Sequence, residues 1–539
     1  MSAAAPAGDD LAALAKGGRT NFLGFLLRLA ARLPFLFIAG RIYGAEALGR
    51  FAYAILVVEF AAQIATLGLK RGLAQQLSSS DKPHVCIIWD GMLVAFLASA
   101  VATILLVIFP QAMFPNSPIN GMEWLLPLIV FAIAGSDVAL AALAYRHNIR
   151  ATVTARAIVE PWTISIAAFA LSFVSSRDGL IIAYILSMLA ALLASLWPLY
   201  RTYGVPSGWR PNPLALWMLA RRNTPLAAAD AIEWASRRID IAILGLFFSP
   251  AIVGVYYVAQ QVASLPQKLK TSFDPILSPV ITQKLAEGDK KAVAKQVRQV
   301  GFWIIAAQAA IGLALGIPAE AVLALVGAAF IGGTAALAFL LFAEVMAATA
   351  AVSEAALVYV ARHRNLMIST FMIVVQAILS VALIYGLRAL RVPGEAVQAF
   401  GLPSDRLPET FTAAGPAIAL VLALGMASVL KARLLCKVLD APVQGWRWPL
   451  VTAAAAAAAV GYAVMLIPQR FEFVELILGI PLILLTFGAA IWKWGFTEED
   501  RVLFRKQQKH EEATLPPPLG ASAEPNLMTE VPHSGKDHS

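Results

Sequence analysis

The chain has 539 residues, 59% of them hydrophobic and only 14% charged, with a mean hydropathy of +0.72 and a formal net charge of +9. Soluble domains carry about a quarter charged residues, so this composition excludes an ordinary soluble protein and points to a polytopic membrane protein. The excess positive charge sits mostly in connections between apolar runs, where its usual work is orientation, and no compact basic domain is present to bind nucleic acid.

Residues 1–19 are polar and Ala-rich, with Asp9, Asp10, Lys16 and Arg19. No small-residue cleavage site follows the first apolar run, so that run is expected to stay as a membrane span. Apolar runs of about 20 residues, enough to cross ~30 Å of hydrocarbon, fall at 21–43, 46–69, 86–111, 122–145, 157–176 and 180–200. A second series falls at 224–248, 251–278, 299–317, 322–360 (a long helix with a fragmented start), 365–387, 411–431, 448–468 and 472–493. The predicted fold is therefore all-α, with about fourteen transmembrane helices. The predicted organisation is an N-terminal segment 1–19, a lobe at 20–201, a linker at 202–222, a second lobe at 223–440, two further helices in 441–495, and a tail at 496–539.

Lysine and arginine test this layout independently. With the N-terminus inside, every second connection should be basic. These connections carry Lys70, Arg71 and Lys82; Arg146, Arg150 and Arg156; Arg201, Arg210, Arg221 and Arg222; then Lys284, Lys290, Lys291, Lys295 and Arg298; Arg362 and Arg364; and Lys431, Arg433, Lys437 and Arg447. The intervening stretch 112–121 has none. Both termini are thus expected in the cytoplasm. Residues 279–298 read as an amphipathic linker helix on the anionic inner leaflet, and 511–539, rich in Pro, Ser, Glu and His, as disordered.

The chain repeats itself in outline. Gly40-Arg41-Ile42-Tyr43-Gly44 leads into Ala45-Glu46-Ala47-Leu48-Gly49-Arg50-Phe51; Gly245-Leu246-Phe247-Phe248-Ser249 leads into Pro250-Ala251-Ile252-Val253-Gly254-Val255-Tyr256. Gly40 falls on Gly245 and Gly49 on Gly254. Internally repeated membrane bundles hold their ligand between the halves, which makes transport the leading expectation.

Ionisable side chains within spans are costly and normally face a cavity or a partner. The first span holds Arg28 and Arg32, one turn apart; the seventh holds Asp230, Glu233, Arg237, Arg238 and Asp240. Under the repeat, Arg32 falls on Arg237 and Arg28 on Glu233. Arg28, Arg32 and Arg237 are the candidate substrate contacts, since guanidinium forks suit phosphate oxygens, with Asp230 and Glu233 neutralising them in the empty protein. An intrahelical Glu233–Arg237 pair and a snorkelling Arg28 are the plain structural alternatives. Asp137 and Glu344 are candidate ion-coupling residues, with a helix–helix hydrogen bond as the commoner explanation. Glu59 and Gln63 lie one turn apart in the second span, with Gln260, Gln261 and Gln267 in its counterpart. No nucleotide-binding loop, metal-ligand spacing or catalytic constellation is seen, so neither an enzyme nor a cofactor is expected.

The turn at 40–54 and the following Gly68-Leu69-Lys70-Arg71-Gly72-Leu73 resemble the bacterial polysaccharide-biosynthesis flippases, of the superfamily that includes lipid II flippases and multidrug and toxin exporters. The resemblance covers about residues 20–495. It implies two six-helix lobes facing each other in a V, with the first, second, seventh and eighth helices lining a central cavity and two helices appended. It also implies export of an undecaprenyl-pyrophosphate-linked oligosaccharide across the bacterial inner membrane, with membrane lipids as surroundings and polysaccharide polymerase and glycosyltransferases as candidate partners. A multidrug or small-molecule antiporter and a lipid II flippase of the same fold stay open at this point.

Overall fold

The computed structural model describes residues 33–79, 82–119, 121–146, 148–391, 407–466, 475–498 and 500–501, with backbone alone at 79, 149, 233, 236, 267–280, 282–283, 286 and 475. The first nineteen residues, Arg28, Arg32, most of the 388–410 connection and the tail beyond 501 lie outside the described residues. The described chain is almost wholly helical. A backbone in hydrocarbon must satisfy its own hydrogen bonds, and helices do so within one segment.

Residues 33–43 form α1, whose last turn, Ala39–Tyr43, is a π-turn. Gly44, at φ +81°, lets the chain reverse directly into α2 (Gly44–Ala65). The reversal falls between the first two predicted spans. Leu67 and Gly68 follow with φ +48° and +65°, turning the chain into the short helix α3 (Leu69–Ser79). Then come α4 (His84–Ile108), α5 (Ile129–Tyr145), α6 (Glu160–Ser172) and α7 (Gly179–Tyr203). These complete the first half.

The second half opens with α8 (Pro213–Ser236), breaks at Arg237–Arg238, and resumes as α9 (Ile239–Phe247). Next are α10 (Pro250–Ala286) and α11 (Lys290–Gly316), joined at Gly288, φ +76°, with the Asp289 side chain accepting from the Ala292 N–H as N-cap. The predicted separate linker helix at 279–298 is thus the end of one helix and the start of another. Val293, Val297 and Val300 are buried against Ile281 in a core cluster, so this stretch packs into the fold on its apolar side. The long tenth run does have a fragmented start: α12 (Ala319–Val326), a 3-10 stretch Ala328–Gly333, then α13 (Thr334–Val360). The chain continues through α14 (Arg362–Ala389), α15 (Gly415–Leu439), α16 (Pro449–Met465) and α17 (Ile480–Ala490).

Among the described residues, nine helical stretches are long and apolar enough to cross a membrane. The expected fourteen exceeds that number for identifiable reasons. The first two predicted spans, although they reverse at Gly44, count as the one stretch Leu33–Ser78. The fifth has only the 13 residues of Glu160–Ser172 as regular helix, the seventh is broken and charged, the eighth, within Pro250–Ala286, is not among the nine, and Pro449–Met465 is short. Several helices turn large apolar side chains outward, as lipid contact requires: Phe96, Val101, Ile104 and Ile108 on α4, and Met367, Phe371 and Ile378 on α14.

The last two helices are pinned to α11 by one carboxylate. Asp500 is fully buried and accepts from Arg447 Nη1 at 2.6 Å, Gln299 Nε2 and Trp303 Nε1 at 3.0 Å each, and the Thr497 hydroxyl at 2.7 Å and N–H at 3.0 Å. Burial alone would raise this carboxyl, but the hydrogen bonds from Arg447 and Thr497 outweigh it and hold Asp500 below the usual carboxylate range. Asp500→Asn is expected to cost about 3 kcal/mol, since it leaves buried donors facing an amide and Arg447 without its anion. The folded-state value is the lower one, so the contribution is complete at neutral pH and is lost as pH falls through it. Melting curves of the purified protein should therefore separate wild type from the variant at pH 7 and bring them together in acid.

Candidate functional site

The two halves meet along α2 and α3 on one side and α8 and α10 on the other. At the Gly44 end the contact is backbone on backbone. A Cβ placed on Gly49 would run into the carbonyl oxygen of Pro250, and one on Gly254 into that of Ala45. The two glycines that the repeat aligns are therefore packed on each other, each against the residue that the repeat aligns with the other's neighbour. Such reciprocity is the mark of a pseudo-two-fold contact. Gly245 similarly leaves room for the Tyr53 ring, and Gly40 for Val326.

Hydrogen bonds close the same end. Asn116 Nδ2 donates across the halves to the carbonyls of Gly245 at 2.7 Å and Phe248 at 3.1 Å, and Arg41 Nε to that of Leu325 at 2.9 Å. Arg50 pairs with buried Glu123 and donates to the Pro118 carbonyl at 2.8 Å. A small crevice, lined by Arg50, Tyr53, Asn116 and Phe248 among others, is left beside the glycine crossing.

Towards the other end, charge takes over. Arg238, in the break between α8 and α9, pairs with Glu59 of α2 at 3.3 Å and lies over the Trp234 ring at 4.7 Å. Glu59 also accepts from the Tyr184 hydroxyl of α7 at 2.9 Å. Trp234 packs on Phe60, ring centroids 5.5 Å apart. Further along, Arg71 of α3 pairs with Asp230 of α8 at 3.0 Å. Here Gly68 and Gly72 let α3 approach α8; a Cβ on Gly72 would run into Asn223 Oδ1, and one on Gly68 would come within 2.6 Å of the Ala227 nitrogen. The two ion pairs have opposite polarity: one half supplies the anion at one level and the cation at the other.

The residues singled out from the sequence fall as follows. Arg28 and Arg32 lie outside the described residues, and Glu233 is described by its backbone only. Arg237 caps the end of α8 and is exposed. Asp230 lies on α8 and pairs with Arg71, a residue assigned to orienting the chain. Asp137 is buried on α5 and receives Arg156 Nη2 at 2.5 Å, with Lys70 at 4.0 Å; Arg156 also reaches Glu160 at 3.1 Å and Ser136 Oγ at 2.7 Å. Glu344 is half-buried on α13.

Three participants were missed as such: Arg71, Arg238 and Asp240. Asp240 is buried in the first turn of α9, where it accepts from the Tyr256 hydroxyl at 2.8 Å, Gln260 Nε2 at 2.9 Å and the Ile241 N–H at 2.9 Å. Its partners among the described residues are all neutral. No cluster of His, Cys, Asp and Glu fit to hold a metal occurs among the described residues.

Residues 15–284 match the family model described as polysaccharide biosynthesis protein, which is half of the chain. The chain belongs to this family. Solved structures agree on the fold. The chain is similar to lipid II flippase MurJ in an inward closed conformation, with TM-score 0.63 and 14% identity over 88% of this chain and 99% of that one. It is also similar to an inward-facing multidrug resistance MATE family transporter of the MOP superfamily, with TM-score 0.56 and 15% identity over 77% of this chain and 98% of that one. A MATE structure in complex with MaL6 gives TM-score 0.52 and 14% identity, covering 81% and 97%. A comparison with curated protein sequences returned no match.

Proposed function

We propose that this protein is a flippase that carries an undecaprenyl-pyrophosphate-linked oligosaccharide across the bacterial inner membrane for surface polysaccharide synthesis. The observation that supports this reading is the seam itself: guanidinium groups from both halves, Arg71 from the first and Arg238 from the second, lie at the contact between two repeats, with Arg237 next to Arg238 in the chain, within a family of polysaccharide biosynthesis proteins. A pyrophosphate needs counter-charge to enter a low-dielectric bundle, and arginine supplies it with two parallel donors. Closure at the Gly44 end and ion pairing further along fit alternation of access between two lobes.

In this reading the lobes are 20–201 and 223–440, with the helices of 441–495 appended. The basic ends and both termini face the cytoplasm. The chain moves its substrate without chemical change, so glycosyltransferases would supply it and a polymerase would consume it on the far side. A second reading, an ion-coupled antiporter of the same fold, is favoured by Asp240, a buried carboxylate with neutral partners.

Gene deletion tests the first reading directly. Surface polysaccharide should disappear while lipid-linked oligosaccharide accumulates in the inner leaflet, and a plasmid copy should reverse both. Unchanged polysaccharide with new sensitivity to organic cations would move the assignment to the antiporter.

A further inference from the structure

We propose that Glu59 is a resident substitute for the anion of the transported molecule: it holds Arg238 in the empty protein and gives it up to an arriving pyrophosphate. This rests on the flippase reading above and assigns to Arg238 a substrate contact, and to Glu59 control over it.

Four observations carry it. The pair joins the two halves, Glu59 from α2 and Arg238 from the break between α8 and α9. It is reachable: the Arg238 side chain is 41% exposed and that of Glu59 24%. It is loose, since 3.3 Å exceeds the ~2.7–2.9 Å of a strong charge-assisted hydrogen bond. Finally, each partner keeps a support when the pair opens, Arg238 over the Trp234 ring at 4.7 Å and Glu59 on the Tyr184 hydroxyl at 2.9 Å.

A carboxylate and a phosphate offer a guanidinium the same pair of oxygen acceptors, so one can replace the other without moving the arginine. Pyrophosphate has more charge and more acceptor oxygens, and so displaces a single carboxylate. The displaced Glu59 is then a negative group facing a negative ligand across the seam. That repulsion is a differential contact of the kind that shifts a lobe equilibrium. The tilted ring pair Phe60 and Trp234 lies beside the ion pair and would offer aromatic surface to the part of the ligand next to the phosphates.

The test uses full-length protein in nanodiscs with farnesyl pyrophosphate as probe, farnesol as the uncharged control and inorganic pyrophosphate as the lipid-free arm. Glu59→Gln keeps an acceptor for Tyr184 and removes only the competing charge. It should bind farnesyl pyrophosphate about three- to tenfold more tightly than wild type, because the competent fraction of Arg238 rises. Arg238→Ala should bind it about tenfold or more weakly, with Arg238→Lys between. A purely structural pair would give the opposite sign for Glu59→Gln, or no change. If wild type binds the pyrophosphate and neither Glu59→Gln nor the arginine variants differ from it, the assignment of this pair is overturned and the flippase reading stands. If wild type prefers farnesol or binds no pyrophosphate, both fall. Should Arg238→Ala fail to fold, Glu59→Gln and Arg238→Lys still decide.

Discussion

Gly49→Ala and Gly254→Ala are each expected to abolish transport. The added methyl would have to occupy the position of a carbonyl oxygen on the facing helix, Pro250 in one case and Ala45 in the other. A flexible side chain could swing away; a helix backbone cannot, so α2 and α10 must separate. Because packed interiors accommodate even one methylene poorly, the closed arrangement at the Gly44 end should be lost as a stable state. Gly386→Ala and Gly488→Ala provide the control, since a Cβ at either position meets nothing within 4 Å. Those two should transport normally, with stability unchanged or raised by about 1 kcal/mol, the usual difference between glycine and alanine in a helix. Complementation of a deletion strain, with membrane levels measured in parallel, gives the comparison. Normal export from both the Gly49 and Gly254 variants would mean that transport does not need this crossing to close.

Arg32→Ala and Arg237→Ala should likewise each abolish flipping without loss of folded protein. A pyrophosphate carries at least two negative charges, and taking it through the bundle without counter-charge would cost several kcal/mol or more. The repeat aligns Arg32 with Arg237 in the sequence, and in the proposed function the pair would supply that charge from both halves. Lysine at either position should restore flipping only in part, because the ammonium keeps the charge and loses the fork. The measurement is reconstituted flipping of a fluorescent lipid-linked sugar, with melting temperature as the check on folding. Wild-type rates from both alanine variants would return these residues to a structural role.

Much of the fold was legible because its signals are local. The apolar runs and their basic connections mark the helices, and Gly44 marks a reversal that only a residue tolerant of φ +81° makes without strain. The correspondence of Gly49 with Gly254 is also visible in the sequence, although not that the two touch. The seam was legible only in part, because its partners are brought together by tertiary packing. Glu59 stood out as a buried acid, yet its cation comes from the other half. Arg238 was set aside by treating the seventh span as one continuous helix; the break at 237–238 contains neither Gly nor Pro, and Asp240 in the first turn of the resumed helix was its only local sign. Arg71 was counted as an orienting charge, whereas the spacing of Gly68 and Gly72, one helical turn apart, was the clue that α3 is pressed against a neighbour.

The glycine crossing also sets the leverage in the molecule. It fixes α2 near its Gly44 end, and at 1.5 Å rise per residue Glu59 lies about 15 Å along the helix from that point and the helix terminus about 24 Å. A rock of about 10° about the crossing would displace Glu59 by roughly 2.6 Å and the terminus by roughly 4 Å, with α3 carried along beyond it. The Arg71–Asp230 pair, on the longer arm, would part first and the Glu59–Arg238 pair second, while the glycines barely move. A pivot at one rim thus converts a small angular change into an ordered unlocking, widest where a membrane-bound headgroup would have to enter.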